Sequence, residues 1–189
     1  MATDGVQDSE LPGRGLTEPE GDPFDPDRPL AVFLVGGAES LGPAAFDLFR
    51  SLYSREFPQV LFVSIGVLDQ SVVDAGVDGS GNFNGTEEAH RLRKKTREGL
   101  SPYLESARRL GLKAAGRVSV SVDAAEEIAR MSDGISAVHP KAVYFLSKLV
   151  FQKPRWFHRW LHSRTSDSIR KNLEKRGHPV TVLPVVLPL

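Results

Sequence analysis

Cysteine is absent from the 189 residues, which excludes disulfides, thiolate metal centres and a cysteine nucleophile at once. Long apolar runs are missing too. No stretch approaches the ~18 uninterrupted apolar residues of a membrane-crossing helix, so none is expected. The opening MATDGVQDSE lacks the basic and apolar regions of a secretory signal, and a cytoplasmic location is expected. Net charge is lacking as well, with 24 Lys and Arg against 24 Asp and Glu. Without a basic excess or a recognition motif, nucleic acid is not an expected partner. What remains, 40% hydrophobic and 25% charged residues, is ordinary globular composition, long enough to bury about 70% of the unfolded surface.

The overall neutrality hides two oppositely charged ends. Residues 1–28 hold eight acids against Arg14 and Arg28, a net of −6, and are interrupted by proline and glycine. Such a segment cannot bury enough apolar area to offset its ordering entropy, so residues 1–28 are expected to be a disordered acidic tail or linker and 29–189 the folded domain. From Lys148 to Arg176 the balance reverses, nine bases against Asp167 and Glu174, with both tryptophans of the chain interleaved.

Between these ends the chain reads as strands alternating with helices. Apolar runs at Ala31–Val35, Val60–Ile65, Ala115–Val122, Ala142–Leu146 and Val180–Val186 are expected strands, the third a weaker, alternating one and the last either at an edge or ending at Pro184, which lacks an amide donor. Apolar residues recurring at three and four predict a helix over Leu41–Phe57, with Leu41, Ala45, Leu48, Phe49 and Leu52 on one face. One long helix is expected from Thr86 to Leu110, closed by Gly111 in a left-handed cap. Asp123 is expected to cap a helix carrying Ile128 and Met131, and a last helix to run from about Pro154 to Arg176, ended by Gly177 and Pro179. This alternation predicts an α/β fold with a doubly wound, five-stranded parallel sheet.

Motifs for chemistry are incomplete. His158 and His162 have the spacing of two metal ligands on a helix, but HRWLH lacks the glutamate of H-E-x-x-H and a third ligand, so no metal is expected. Asp69, Asp74 and Asp78 lack the spacing and closing glutamate of a calcium loop. Ser64, Ser147 and Ser163 are not set in a G-x-S-x-G elbow, and no G-x-x-x-x-G-K-[ST] loop occurs. No catalytic residue and no enzyme activity are therefore expected. The basic and aromatic stretch is the most distinctive feature: Lys153, Arg155, Trp156, Arg159 and Trp160 form the composition that meets a headgroup layer or a partner's surface. The alternative use of the tryptophans is to anchor the helix on the sheet.

The strings LFVSIGVLDQSVV, GTEEAHRLRKKTREGLSPYLESARRLGL, AVYFLSKLVFQ and WFHRWLHSRTSDSIRKNLEKRGHPVTVLPV together resemble the cytosolic domain that follows the membrane portion of certain bacterial permeases. These belong to the amino acid-polyamine-organocation transporter superfamily, and the domain is similar in fold to universal stress proteins. The likeness covers about Pro29 to Leu189. It implies an adenine-nucleotide-hydrolase-like α/β sandwich and a regulatory or docking role beside an amino acid permease, at the inner face of the plasma membrane. Nucleotide-binding universal stress proteins place a G-x2-G-x9-G-[ST] loop just after the fourth strand. Here the three glycine positions fall on Leu149, Gln152 and His162, and the hydroxyl position on Ser163. Leucine and glutamine resist the close approach and positive φ that glycine permits beside a phosphate. The acidic residue that many members carry after the first strand is replaced by Gly36-Gly37-Ala38. The resemblance thus implies a degenerate cleft of Gly36, Gly37, Ser147, Lys148 and Ser163, with ATP or another nucleotide as the alternative ligand. Apart from the resemblance, the sequence does not decide between monomer and homodimer; an exposed Val180–Leu189 edge could pair with a second copy.

Overall fold

The computed structural model describes residues 24–35, 42–69, 84–150 and 156–186. Their elements run β1 (Leu30–Val35), α1 (Gly42–Tyr53), β2 (Gln59–Val67), α2 (Asn84–Glu98), α3 (Ser101–Arg109), β3 (Lys113–Ser121), α4 (Ala124–Val138), β4 (Ala142–Val150), α5 (Trp156–Lys175) and β5 (Val180–Val186). All neighbouring strands are parallel, in the order β3-β2-β1-β4-β5. The expected α/β class, parallel sheet and edge position of β5 are all observed.

Because side chains alternate across a strand, the sheet carries two cores. On one face Ala31, Phe33, Phe62 and Phe145 meet Ala45, Phe46 and Phe49 of α1 and Leu100, Tyr103 and Ala107 around α3. This layer is aromatic: six of the ten phenylalanines lie in it, with Phe33–Phe46 ring centroids 5.9 Å apart and Phe49–Phe145 4.9 Å apart, both edge to face. Such pairs add about 0.5–1.5 kcal/mol each beyond area burial. On the other face Leu30, Val32, Leu61, Val63 and Tyr144 meet Ile128, Met131 and Ile135 of α4 and Ile169 and Leu173 of α5. Helices therefore cover both faces, as a fully buried parallel sheet requires.

Three local expectations need correction. The expected helix over Leu41–Phe57 ends at Tyr53, where the N–H groups of Glu56 and Phe57 both donate to Tyr53 O at 2.9 and 3.1 Å. Its buried arc is Ala45, Phe46 and Phe49, and Leu52 is 56% exposed; the rings of Phe46, Phe49 and the folded-back Phe57 take the ground over the sheet. The single helix expected from Thr86 to Leu110 is two. Pro102, at the second position of α3, has no N–H to donate to Glu98, and Leu100 N–H turns to Arg97 O three residues back, at 3.0 Å. The chain then restarts with Tyr103 and Leu104 both donating to Leu100 O. Finally, residues 24–28, assigned to the tail by composition, are packed on the domain. The Gln59 amide, 1% exposed, accepts from Asp25 N–H at 2.7 Å and donates to Asp25 O at 2.9 Å, and Phe24 lies against the ring of His139.

The caps form as expected. Asp123 accepts from the N–H groups of Ala125 and Glu126 at 2.9 and 3.1 Å, satisfying two orphan donors of α4. Gly111 and Gly177 close α3 and α5 at φ +72° and +82°, a conformation that costs other residues about 1–2 kcal/mol. Among the described residues no helix is long and apolar enough to cross a membrane.

Candidate functional site

The strand order reverses between β1 and β4. The chain leaves β1 into α1 on the aromatic face and leaves β4 into α5 on the other, which makes this the topological switch point, the place where ligands bind in open parallel sheets. Val35 closes β1 and is registered with Ser64 on β2, while Leu34 is registered with Leu146 on β4. Ser64 and Ser147 thus flank Val35 in one row on the α1 side of the sheet. Ser64 is 5% exposed and Ser147 half-buried.

The other sequence-expected cleft residues are described only in part. Gly36 and Gly37 lie outside the described residues, and Ser163 falls on α5 with its side chain outside the description. Ser147 and Lys148, expected just past the fourth strand, are inside it: β4 continues to Val150, with Lys148 registered with Pro184 and Leu149 with Val185. The position of the first loop glycine is therefore strand, extended against β5, rather than a turn that can wrap an anion. Lys153 and Arg155 lie outside the described residues, while Trp156, Arg159 and Trp160 fall on the first turns of α5, their side chains outside the description.

Higher on the α4 face, β3 and α4 share a buried carboxylate. Ser119, fully buried, donates to Glu127 Oε1 at 2.5 Å, and Arg130 grips the same carboxylate with Nε at 2.9 Å and Nη2 at 2.6 Å. Burial alone would raise the carboxyl's proton affinity. The hydrogen bonds from Arg130 and Ser119, with the Arg130 charge, outweigh it and hold Glu127 below the usual carboxylate range.

A second polar chain ties α4 to β4 and to the turn before β5. Tyr144 on β4 donates its hydroxyl hydrogen to Ser132 O at 2.8 Å and lies 2.8 Å from Ser136 Oγ, which is 3.2 Å from His178 Nδ1. His178 Nε2 donates to Asp133 Oδ1 at 2.8 Å, and Arg176 bridges Asp133 at 2.5 Å and Glu126 at 2.9 Å. Hydrogen bonds from His178 and then Arg176 keep Asp133 below the usual carboxylate range. Burial raises Tyr144. Nearby, Arg117 Nε and His139 Nδ1 are buried with no hydrogen-bond partner, and burial followed by repulsion from Arg117 lowers the His139 ring.

Arg176 and Arg170, counted in the basic stretch, are thus partly consumed within the domain, Arg170 facing Glu174 at 3.6 Å. A groove of about 230 Å³ between Phe46, Asp47, Pro102, Tyr103, Ser106 and Arg109 sits between α1 and α3 rather than at the switch point. Among the described residues no three His, Asp or Glu side chains are placed to hold a metal ion. The Glu127 and His178 clusters were not read from sequence. Glu127 and Arg130, three apart on a helix, gave a usable signal, whereas Asp133, Ser136, Tyr144 and His178 meet only through the α4–β4 and α5–β5 packing. Compared with known proteins, the chain matches no family model and no curated protein.

Proposed function

We propose that this chain is a non-catalytic, universal-stress-protein-like domain that docks on an amino acid permease, or on the anionic cytosolic membrane surface beside one. The carrying observation is the basic and aromatic composition at the start of α5, a helix whose later residues are held in the core. Its C-terminal half is anchored by Ile169 and Leu173 in the core and by Arg176 on Asp133 and Glu126. Its first turns, with Trp156, Arg159 and Trp160, follow β4 in the chain, where the basic stretch begins. Lys153, Arg155, Trp156, Arg159 and Trp160 supply the contact, with the bases attracted to anionic headgroups or acidic protein. The test is flotation of the full chain with vesicles of anionic or neutral lipid. Wild type binds the anionic vesicles and releases them with salt, and Arg155→Glu with Arg159→Glu abolishes binding. Binding unchanged by the charge reversal overturns the reading.

A second reading is supported by the row of Ser64, Val35 and Ser147 at the switch point: a nucleotide sensor with an altered loop. It requires ATP to raise the unfolding temperature, by about 2.7 kcal/mol of stability at a hundredfold excess over Kd, and substitution of Lys148 and Ser163 to remove the effect. No shift with ATP, ADP or AMP disposes of it.

A further inference from the structure

A second basic surface lies on α2. Between Arg91 and Arg97 five of seven residues are bases, Arg91, Arg93, Lys94, Lys95 and Arg97, and none is an acid. Arg93 is half-buried and the other four are exposed. Glu87 and Glu88 of the preceding turn face Arg91 at 3.6 and 3.3 Å. Arg93, Lys94 and Lys95 form no ion pair among the described residues. Leu92 and Thr96 are the side chains set over Gly66, the last residue but one of β2. At 3.6 residues per turn the bases therefore occupy the remaining directions around the helix. Arg91 and Lys95, and likewise Arg93 and Arg97, stand four apart, where like charges oppose the helix. An anion placed against them relieves that repulsion.

We infer that α2 is a docking surface for an anionic lipid headgroup layer, met by Arg93, Lys94 and Lys95. The inference rests on the docking reading above and deepens it, naming the membrane as partner and α2 as a contact separate from α5. What the surface lacks selects the partner. Leu92 is the one large apolar residue of α2, and it is turned onto Gly66; none of the exposed large apolar side chains lies on this helix. A protein interface is built around an apolar core within a polar rim, and single-stranded nucleic acid is held by aromatic stacking. The bases of α2 offer neither. A fluid headgroup layer asks only for positive charge, because its lipids rearrange to meet bases in whatever pattern the helix presents them.

The test measures partition of the full chain onto vesicles of phosphatidylserine and phosphatidylcholine, and onto phosphatidylcholine alone, at about 0.1 M salt, where charges act over about 10 Å. Each base near an anionic surface is worth about fivefold in partition. Lys94→Gln with Lys95→Gln should therefore lower it about 25-fold on the anionic vesicles, and adding Arg93→Gln about a hundredfold. Lys94 and Lys95 are exposed and glutamine keeps a similar helix propensity, so the double variant should fold as wild type by circular dichroism. Arg50→Gln with Arg108→Gln makes the same charge change away from α2 and should leave partition within about twofold. Arg155→Glu with Arg159→Glu, measured beside these, separates the two contacts. Loss in that variant with wild-type partition in the Lys94 and Lys95 variant overturns the α2 surface and leaves the α5 reading standing; the reverse pattern supports α2 and removes α5. An equal loss in the Arg50 and Arg108 control, or retention of wild type on duplex DNA or polyglutamate but not on anionic vesicles, also overturns the inference.

Discussion

Gly66 is where β2 meets α2, and the contact sets a measurable bound on side-chain size. A Cβ placed there meets Leu92 Cγ at 2.8 Å and Thr96 Oγ1 at 2.9 Å. Neither obstacle moves freely. Leu92 is struck at its branch point rather than at a methyl end, and Thr96 Oγ1 donates to Leu92 O at 2.8 Å. Overpacking of this kind costs about 1–3 kcal/mol. The entropy that alanine removes from the unfolded chain returns about 0.4–1 kcal/mol, so Gly66→Ala should lose about 1–2 kcal/mol net. The matched control is Gly134 in the interior of α4, where an added Cβ meets nothing within 4 Å; there alanine should gain about 0.8–1.0 kcal/mol. A third variant separates space from backbone conformation. Gly111 has equally open surroundings but a φ of +72°, and Gly111→Ala should lose about 1–2 kcal/mol despite the room. Urea unfolding followed by circular dichroism reads all three. With a slope of about 2 kcal/mol per molar, the Gly66→Ala midpoint should fall about 0.5–1 M below wild type and the Gly134→Ala midpoint rise about 0.4–0.5 M above it. A Gly66→Ala midpoint at or above wild type would refute the close approach of α2 to β2.

Glu127, with its carboxyl held below the usual range, contributes stability that is complete above the unfolded carboxylate's titration and is lost as pH falls through the folded one. Acid unfolding of Glu127→Gln should therefore begin from a lower stability at neutral pH and show a shallower loss toward acid, measured by fluorescence of the two tryptophans. Asp123→Ala removes the acceptor for Ala125 and Glu126 and should cost about 0.5–2 kcal/mol in the same urea assay, with Asp123→Asn close to wild type.

The sequence pattern made β1 and β2 the most legible strands, because each is buried on both faces and appears as a short continuous apolar run, whereas β3 showed only a weaker alternation. The helix caps were equally legible, since Asp123, Gly111 and Gly177 act through their own backbone geometry. The break at Leu100 was not. Leu100 and Leu104 keep the helical spacing across it, and only Pro102 and Gly99 mark the interruption. The extent of β4 was missed for a similar reason: Ser147 and Lys148 read as the polar end of an apolar run, yet pairing with β5 carries the strand to Val150. Residues 24–28 were polar enough to resemble the tail, and what holds them, the Gln59 amide on Asp25, is a contact across 34 positions. The switch point follows from strand order, which alternation of elements predicts as a class. The His178 chain follows from side-chain packing, which no periodicity encodes.

The two ends of the domain resist a pull differently. A tether on the amino side reaches Leu30 and the central strand, flanked by β2 and β4, after passing the Gln59 clamp, so tension along it must slide one strand past two neighbours and break their bonds together. A tether on the carboxyl side reaches β5, which has β4 alone for a neighbour and can be peeled away one bond at a time. Force entering from the carboxyl end therefore strips β5 first, while the same force from the amino end leaves the sheet whole to a higher load.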